Sequence, residues 1–318
     1  MKRWLQFFRF PNLPTAPGDA LAGAAFFLPA GNDLLPQALV AGVSALFFYM
    51  FGLADNDIVD AKEDACHSSE RPIPRGAISL NTARFVRSLC LFAAYAVPVC
   101  TVGIGRGRGQ LPFGWLYASL ALVLCICASN RLKRLWLMGY CRGLSLACGA
   151  FAVWAPLNDP TSWRLVSALA QLAVGWTLYT VAVAKLAEDE GKASAALGCE
   201  RFFFGLAAFV PLTAFLPIIG STEVGFASSF PVLLPVMGCL FAFLAWCAAV
   251  APLGRPHDPA ERRRAVGRTM DAIMFLQVGF MLITPRVPML VAASVLWFGA
   301  RLARRGALLR NLIKEDKK

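Results

Sequence analysis

Long apolar segments recur along the whole of the 318-residue chain. Most of them reach the roughly 20 residues that a helix needs to cross a bilayer. They lie at 16–31, 34–54, 80–104, 111–129, 136–156, 164–187, 202–220, 230–253, 269–284 and 287–303. Between them no stretch is long enough for a structured soluble domain. The composition agrees: 58% of residues are hydrophobic and 16% charged, against about 25% charged in a soluble domain. Such a chain cannot cover itself with polar surface in water. One polytopic, all-α membrane domain over residues 1–318 is therefore expected. The last apolar stretch is interrupted by Pro285 and Pro288, so it reads either as one kinked helix or as a tight pair.

The formal net charge is +12, which in a soluble protein would raise the question of nucleic acid. Its placement argues for a membrane instead. Most of the lysines and arginines fall in alternate connections and in the tail from Arg301 onward. An excess of positive charge marks the cytoplasmic side, which puts both termini and the connection after residue 54 in the cytoplasm, as expected of a multi-pass protein of the cytoplasmic membrane. Anionic headgroups account for much of the tail charge. The cysteines sit mostly within apolar segments and form no CxxC pair, so neither a zinc site nor a disulfide framework is supported.

The most informative polar stretch is Asn56-Asp57-Ile58-Val59-Asp60-Ala61-Lys62-Glu63-Asp64, followed by Arg71-Pro72-Ile73-Pro74-Arg75-Gly76. Asp57, Asp60 and Asp64 stand at i, i+3 and i+7 and so share one helix face. Three carboxylates and an amide at a membrane boundary are costly to gather unless a cation or ligand needs them. Hard oxygen donors suit Mg²⁺, which keeps several waters and completes its shell with substrate phosphates. The plain alternative is a solvated acidic face paired with Lys62 and Arg75. The aromatic run Phe47, Phe48, Tyr49 and Phe51 either packs against neighbouring helices or lines an apolar cavity.

The pattern NDxxDxxxD followed by RPIPxG resembles the first signature of the UbiA superfamily of intramembrane prenyltransferases. The entry Phe10-Pro11-Asn12-Leu13-Pro14, the basic Leu132-Lys133-Arg134 and an acidic connection after residue 187 follow the same order. The stretch from Leu137 to Leu144 is similar to the EboC-type branch. The resemblance implies a bundle of nine helices around a central cavity, where the apolar segments alone count ten. It also implies an Mg²⁺-dependent enzyme that moves a prenyl group from a prenyl diphosphate to an aromatic or other electron-rich acceptor. Asn56, Asp57, Asp60 and Asp64 would hold the metal, with Asp57, Asp60 and Asp64 essential to catalysis. Arg71, Lys133 and Arg134 would grip the diphosphate. Arg142 lies inside an apolar segment and should face the cavity or a carboxylate.

The second acidic connection departs from the pattern. Aligning Glu188 to Lys192 with the family's paired aspartates puts Glu188 at the first and Lys192 at the second. Glu188 can ligate a metal; Lys192 cannot. Asp189 and Glu190 offer carboxylates on other faces and, with Lys192 and Arg142, are further contacts of a second site. Either the Lys192 ammonium replaces a second ion, or the chain is a non-catalytic binder or carrier of isoprenoid lipids.

Overall fold

A computed structural model describes residues 2–27, 35–66, 71–105, 113–153, 162–188, 230–254 and 258–282, with a few more between 205 and 209 and between 291 and 299. Everything regular in these segments is helical. The elements are α1 (Lys2–Phe7), α2 (Thr15–Phe27), α3 (Leu35–Val59), α4 (Ala61–Cys66), α5 (Leu80–Gly105), α6 (Phe113–Leu132), α7 (Leu135–Val153), α8 (Ser162–Ala187), α9 (Phe230–Val250) and α10 (Pro259–Met281). Helix is what apolar sequence must form in lipid, because every backbone donor and acceptor has to be satisfied within its own segment.

Among the described residues, six helices are long and apolar enough to cross a membrane: α3, α5, α6, α7, α8 and α9. The chain is thus an all-α, multi-pass membrane protein, and the expected bundle of nine or ten spans is corrected, among the described residues, to these six. Two reasons are physical. Among the described residues the segment expected at 16–31 holds the 13 residues of α2, about 20 Å of helix against a hydrocarbon core of about 30 Å. The segment expected at 269–284 is the end of α10, which begins at Pro259 and carries Arg262, Arg263, Arg264 and Arg268 in its first half. Asp258 caps that helix, accepting a hydrogen bond from the Glu261 amide at 2.6 Å. Residues 259–268, which lie between two of the expected segments, are therefore helix. Three residues of the segment at 202–220 and seven of that at 287–303 are described, and the rest of both lies outside the described residues.

Two apolar cores organise the bundle. One joins α2, α7, α8, α9 and α10 around Trp176, Tyr179, Trp246 and Phe280, all fully buried. The other joins α3, α5, α6 and α7 around Phe48, Phe51, Trp115 and Leu122. Phe48 stacks edge-on against Tyr95, and Tyr95 against Trp115. Phe48 therefore serves packing. Helix α7 belongs to both cores, and α10 returns to pack on α2 and α8, tying the late part of the chain to its start.

Close backbone approach makes the α2–α7 seam. A Cβ on Gly149 would fall inside the Ala20 carbonyl, and one on Gly23 inside the Leu146 carbonyl. Small residues are the usual means of bringing membrane helices together, since packing rather than water drives their association. Gly149→Val is expected to lower stability by about 3 kcal/mol, measured as a lower melting temperature in detergent; an unchanged melt would show that the seam can open freely.

Pro98 interrupts the hydrogen-bond ladder of α5. It has no N–H to give the Ala94 carbonyl four residues earlier. The Ser44 hydroxyl of α3 donates to that carbonyl at 2.6 Å instead, so a neighbouring helix satisfies the acceptor that the proline leaves bare.

Candidate active site

The acidic motif sits where α3 ends. The helix breaks at Asp60 and resumes as α4, yet the helical hydrogen bonds run through the break: the Asp60 amide donates to the Asn56 carbonyl at 2.9 Å and the Asp64 amide to the Asp60 carbonyl at 2.8 Å. That continuity keeps Asp57, Asp60 and Asp64 on one side. All three converge on a single guanidinium, Arg71 Nη1, at 3.8, 3.5 and 2.7 Å respectively. The Asn56 amide donates to Asp60 Oδ2 at 3.0 Å.

Arg71 is delivered by the RPIPRG segment. The Ala77 and Ile78 amides both donate to the Pro72 carbonyl, and the Gly76 amide donates to the Ile73 carbonyl at 2.9 Å. Gly76 has φ of 69°, a left-handed conformation that glycine adopts without the Cβ penalty. The turn folds back on α1, whose Phe7 is buried against Ala54, Ile78 and Ala83. Arg3 Nη1 donates to the Ala77 carbonyl at 3.0 Å. This packing brings Arg9 to Asp57 Oδ1 at 3.3 Å.

Lys133 closes the cluster from the connection between α6 and α7. Its Nζ lies 3.2 Å from Asp60 Oδ1 and in close contact with Glu63. Hydrogen bonds to Glu63 and then to Asp60 hold its ammonium above the ordinary lysine range. Three cations thus face three aspartates, one from each of three connections.

Arg9 and Lys133 share a further property. Among the described residues they are the two non-glycine residues with positive φ, at 44° and 50°. A left-handed backbone costs an ordinary residue about 1–2 kcal/mol, and such strain collects where function needs a side chain in one place. Lys133→Gly removes the strain and two ion pairs whose lysine end is half exposed, a setting in which such pairs contribute little. It is expected to leave the melting temperature unchanged or higher while lowering turnover by about 10²-fold; a variant that loses stability instead would mean that Lys133 serves the fold.

The remaining sequence candidates are placed as follows. Arg134 is exposed at the start of the next helix. Glu188 is exposed one residue past α8, its amide donating to the Ala184 carbonyl at 3.0 Å. Asp189, Glu190 and Lys192 lie outside the described residues. Among the described residues no three His, Cys, Asp or Glu side chains are close enough as they stand to enclose a metal ion; the Asp57, Asp60 and Asp64 carboxylates each face Arg71.

Arg142 does find a carboxylate. Its Nε is 2.8 Å from Asp19 Oδ2, and its Nη1 donates to the Thr15 hydroxyl at 3.1 Å. Asp19 is fully buried. Its Oδ1 accepts from Trp176 Nε1 at 2.8 Å and from Gln277 Nε2 at 2.7 Å. Gln277 Nε2 also donates to the Thr15 carbonyl at 2.8 Å. This network ties α2, α7, α8 and α10 together in mid-bundle. Sequence reasoning missed Asp19, although the signal was visible: it is the one carboxylate in the first apolar segment, and an ionisable group there needs a partner. Arg9 lies among the basic residues ahead of the first apolar segment, and nothing local marks it as a partner of Asp57.

Comparison with known proteins follows the same fold. No family model matches the chain. It is 34% identical over 114 residues to the digeranylgeranylglyceryl phosphate synthase of Sulfolobus acidocaldarius, covering 36% of this chain and 34% of that protein. It is 30% identical over 139 residues to the digeranylgeranylglyceryl phosphate synthase of Ignicoccus hospitalis, covering 44% of this chain and 42% of that one. The matched stretches span between a third and under half the length of these curated relatives. A solved structure concerned with digeranylgeranylglyceryl phosphate synthase in membranes superposes with a TM-score of 0.53 over 92% of this chain and 98% of that one. At 16% identity that likeness concerns the fold alone.

These findings correct the resemblance drawn from the motifs. The similar proteins are digeranylgeranylglyceryl phosphate synthases by name, where the UbiA superfamily and its EboC-type branch were expected. The UbiA-type enzyme and its aromatic acceptor are withdrawn with that expectation.

Proposed function

We propose that the chain is a membrane-embedded prenyl-transfer enzyme, taking a prenyl group from a prenyl diphosphate to a hydroxyl of a lipid-like glyceryl phosphate. The observation that carries the reading is the meeting of Asp57, Asp60 and Asp64 with Arg9, Arg71 and Lys133 at the end of an apolar bundle. A prenyl diphosphate has a long apolar tail and a multiply charged head, and this end of the molecule offers both environments. The names of the relatives supply the acceptor: their product is a glyceryl phosphate carrying two geranylgeranyl groups.

The donor set suits Mg²⁺. It is all oxygen, as a hard cation prefers, and it has spare capacity: Asp60 Oδ1 is buried and faces the Lys133 ammonium at 3.2 Å, which leaves a lone pair for an ion. Asn56, Asp57, Asp60 and Asp64 would hold the ion, with Glu188 as the ligand from the second half of the chain. When bound, Mg²⁺ supplies charge neutralisation to the departing diphosphate. Arg71 and Lys133 bind the phosphate oxygens, Arg71 with a fork that can engage two at once, and Arg134 adds charge at the rim. Arg9 holds Asp57 in place. The surrounding helices keep water from the allylic carbon, so that the acceptor hydroxyl competes with less water for it. The hydroxyl oxygen forms the new bond to carbon, the carbon–oxygen bond to diphosphate breaks, and the hydroxyl proton passes to a neighbouring carboxylate or to the released diphosphate.

The test is to incubate the purified protein in lipid with Mg²⁺, prenyl diphosphates of several lengths, and either prenylated glyceryl phosphates or small aromatic alcohols, and to weigh the products. A prenylated glyceryl phosphate is the expected product. Saturable binding of a prenyl diphosphate without turnover of any acceptor would favour a carrier.

A further inference from the structure

Helix α3 presents a second carboxylate on the side away from the acidic cluster. Asp55 and Asp57 are two residues apart, about 200° around the helix. Asp55 is 1% exposed. Its Oδ1 accepts from Arg87 Nη1 at 3.1 Å, while Oδ2 accepts from Asn130 Nδ2 at 3.0 Å and lies 3.9 Å from Arg131 Nη1. These groups form the mouth of a groove of about 830 Å³, floored by α3 and walled by α5 and α6. Beyond the mouth the lining turns apolar: Phe51, Leu91, Phe92, Tyr95 and Val123.

We propose that this groove binds an anionic phospholipid, one acyl chain lying between α5 and α6 and the phosphate at Arg87 and Arg131. Three observations on the groove carry it. Its walls, α5 and α6, are both spanning helices, and Phe92 is 70% exposed, so the groove opens on the hydrocarbon. Its lining runs from Arg87 to Cys100 along α5, about 20 Å of helix, which exceeds the roughly 15 Å hydrocarbon depth of one leaflet. And the mouth carries two guanidiniums against one carboxylate, leaving a net positive charge at headgroup depth. Arg131 is the looser of the two, with a side chain 56% exposed. Charge complementarity therefore selects a lipid with a negative headgroup. The groove lies on the opposite face of α3 from Asp57, and the assignment does not depend on prenyl transfer.

The experiment is native mass spectrometry of delipidated protein titrated with phosphatidylglycerol or phosphatidylcholine of matched acyl chains. Phosphatidylglycerol is expected to be retained about tenfold more strongly. Arg131→Gln, which leaves the Arg87–Asp55 pair intact, should reduce that preference about fivefold. Ala96→Trp, which fills the groove from its lipid side, should remove retention of both lipids. Equal retention of the two lipids, or unchanged phosphatidylglycerol binding in Ala96→Trp, would overturn the proposal. So would equally strong competition by glycerol 3-phosphate, which has no chain, or displacement of the lipid by geranyl diphosphate at equal concentration, which would make the groove a substrate tunnel.

Discussion

Arg142→Met is expected to lower the stability of the folded protein by about 3–5 kcal/mol, the usual consequence of removing one partner of a buried ion pair. The arginine Nε lies 2.8 Å from Asp19 Oδ2, and Asp19 has no exposure to solvent. Without the guanidinium, a carboxylate would remain in a site where, among the described residues, the Trp176 and Gln277 N–H groups are the donors left to it. The change should appear as a large fall in melting temperature in detergent. Adding Asp19→Asn should recover most of the loss, because the amide keeps an oxygen for Trp176 and Gln277 and carries no charge. A single Arg142→Met variant that melts with the wild type would show that the Asp19 carboxylate is neutral in the folded protein. Failure of the double variant to recover would instead assign the effect to lost packing of the arginine stem.

Asp57→Asn/Asp60→Asn should lower prenyl transfer by at least about 10³-fold, since it removes two of the proposed metal ligands together. Asparagine nearly matches aspartate in shape, and the two sites lie beside Arg9, Arg71 and Lys133, whose charges would then have fewer partners. A moderate loss of stability accompanies that imbalance, so the assay must follow released diphosphate from protein shown to be folded. The paired control is Asp55→Asn, on the other face of α3, which should leave the chemistry intact while weakening the hold on Arg87. Full turnover in the double variant would remove the acidic cluster from the mechanism. Equal loss in Asp55→Asn would mean that the whole end of α3, and not the Asp57 face, is what the reaction needs.

The helices were legible because their cause is local. A run such as 34–54 or 80–104 has to satisfy its own backbone in lipid, and α3 and α5 begin within a residue of those positions. The failures came where a segment's fate depends on something outside it. Residues 16–31 looked long enough to span, but the described helix there is the 13-residue α2. The run at 269–284 concealed a helix reaching back through four arginines to Pro259, since charge on a helix does not stop it from being one. In the site, periodicity gathers Asp57, Asp60 and Asp64 on one face, and the RPIPRG turn places Arg71 within reach.

Helix positions, the shared face of the three aspartates and the left-handed turn at Gly76 follow from residues near one another in the chain. Backbone hydrogen bonding, a 3.6-residue period and a missing Cβ act over a few residues, so they can be read there. Partnership across the bundle is of another kind. Asp19 meets Arg142 and Gln277, and Asp57 meets Arg9, only because particular helix faces are pressed together. That choice belongs to the packing of the whole molecule. It turns on where glycines such as Gly23 and Gly149 let backbones touch, and no stretch of sequence carries it alone.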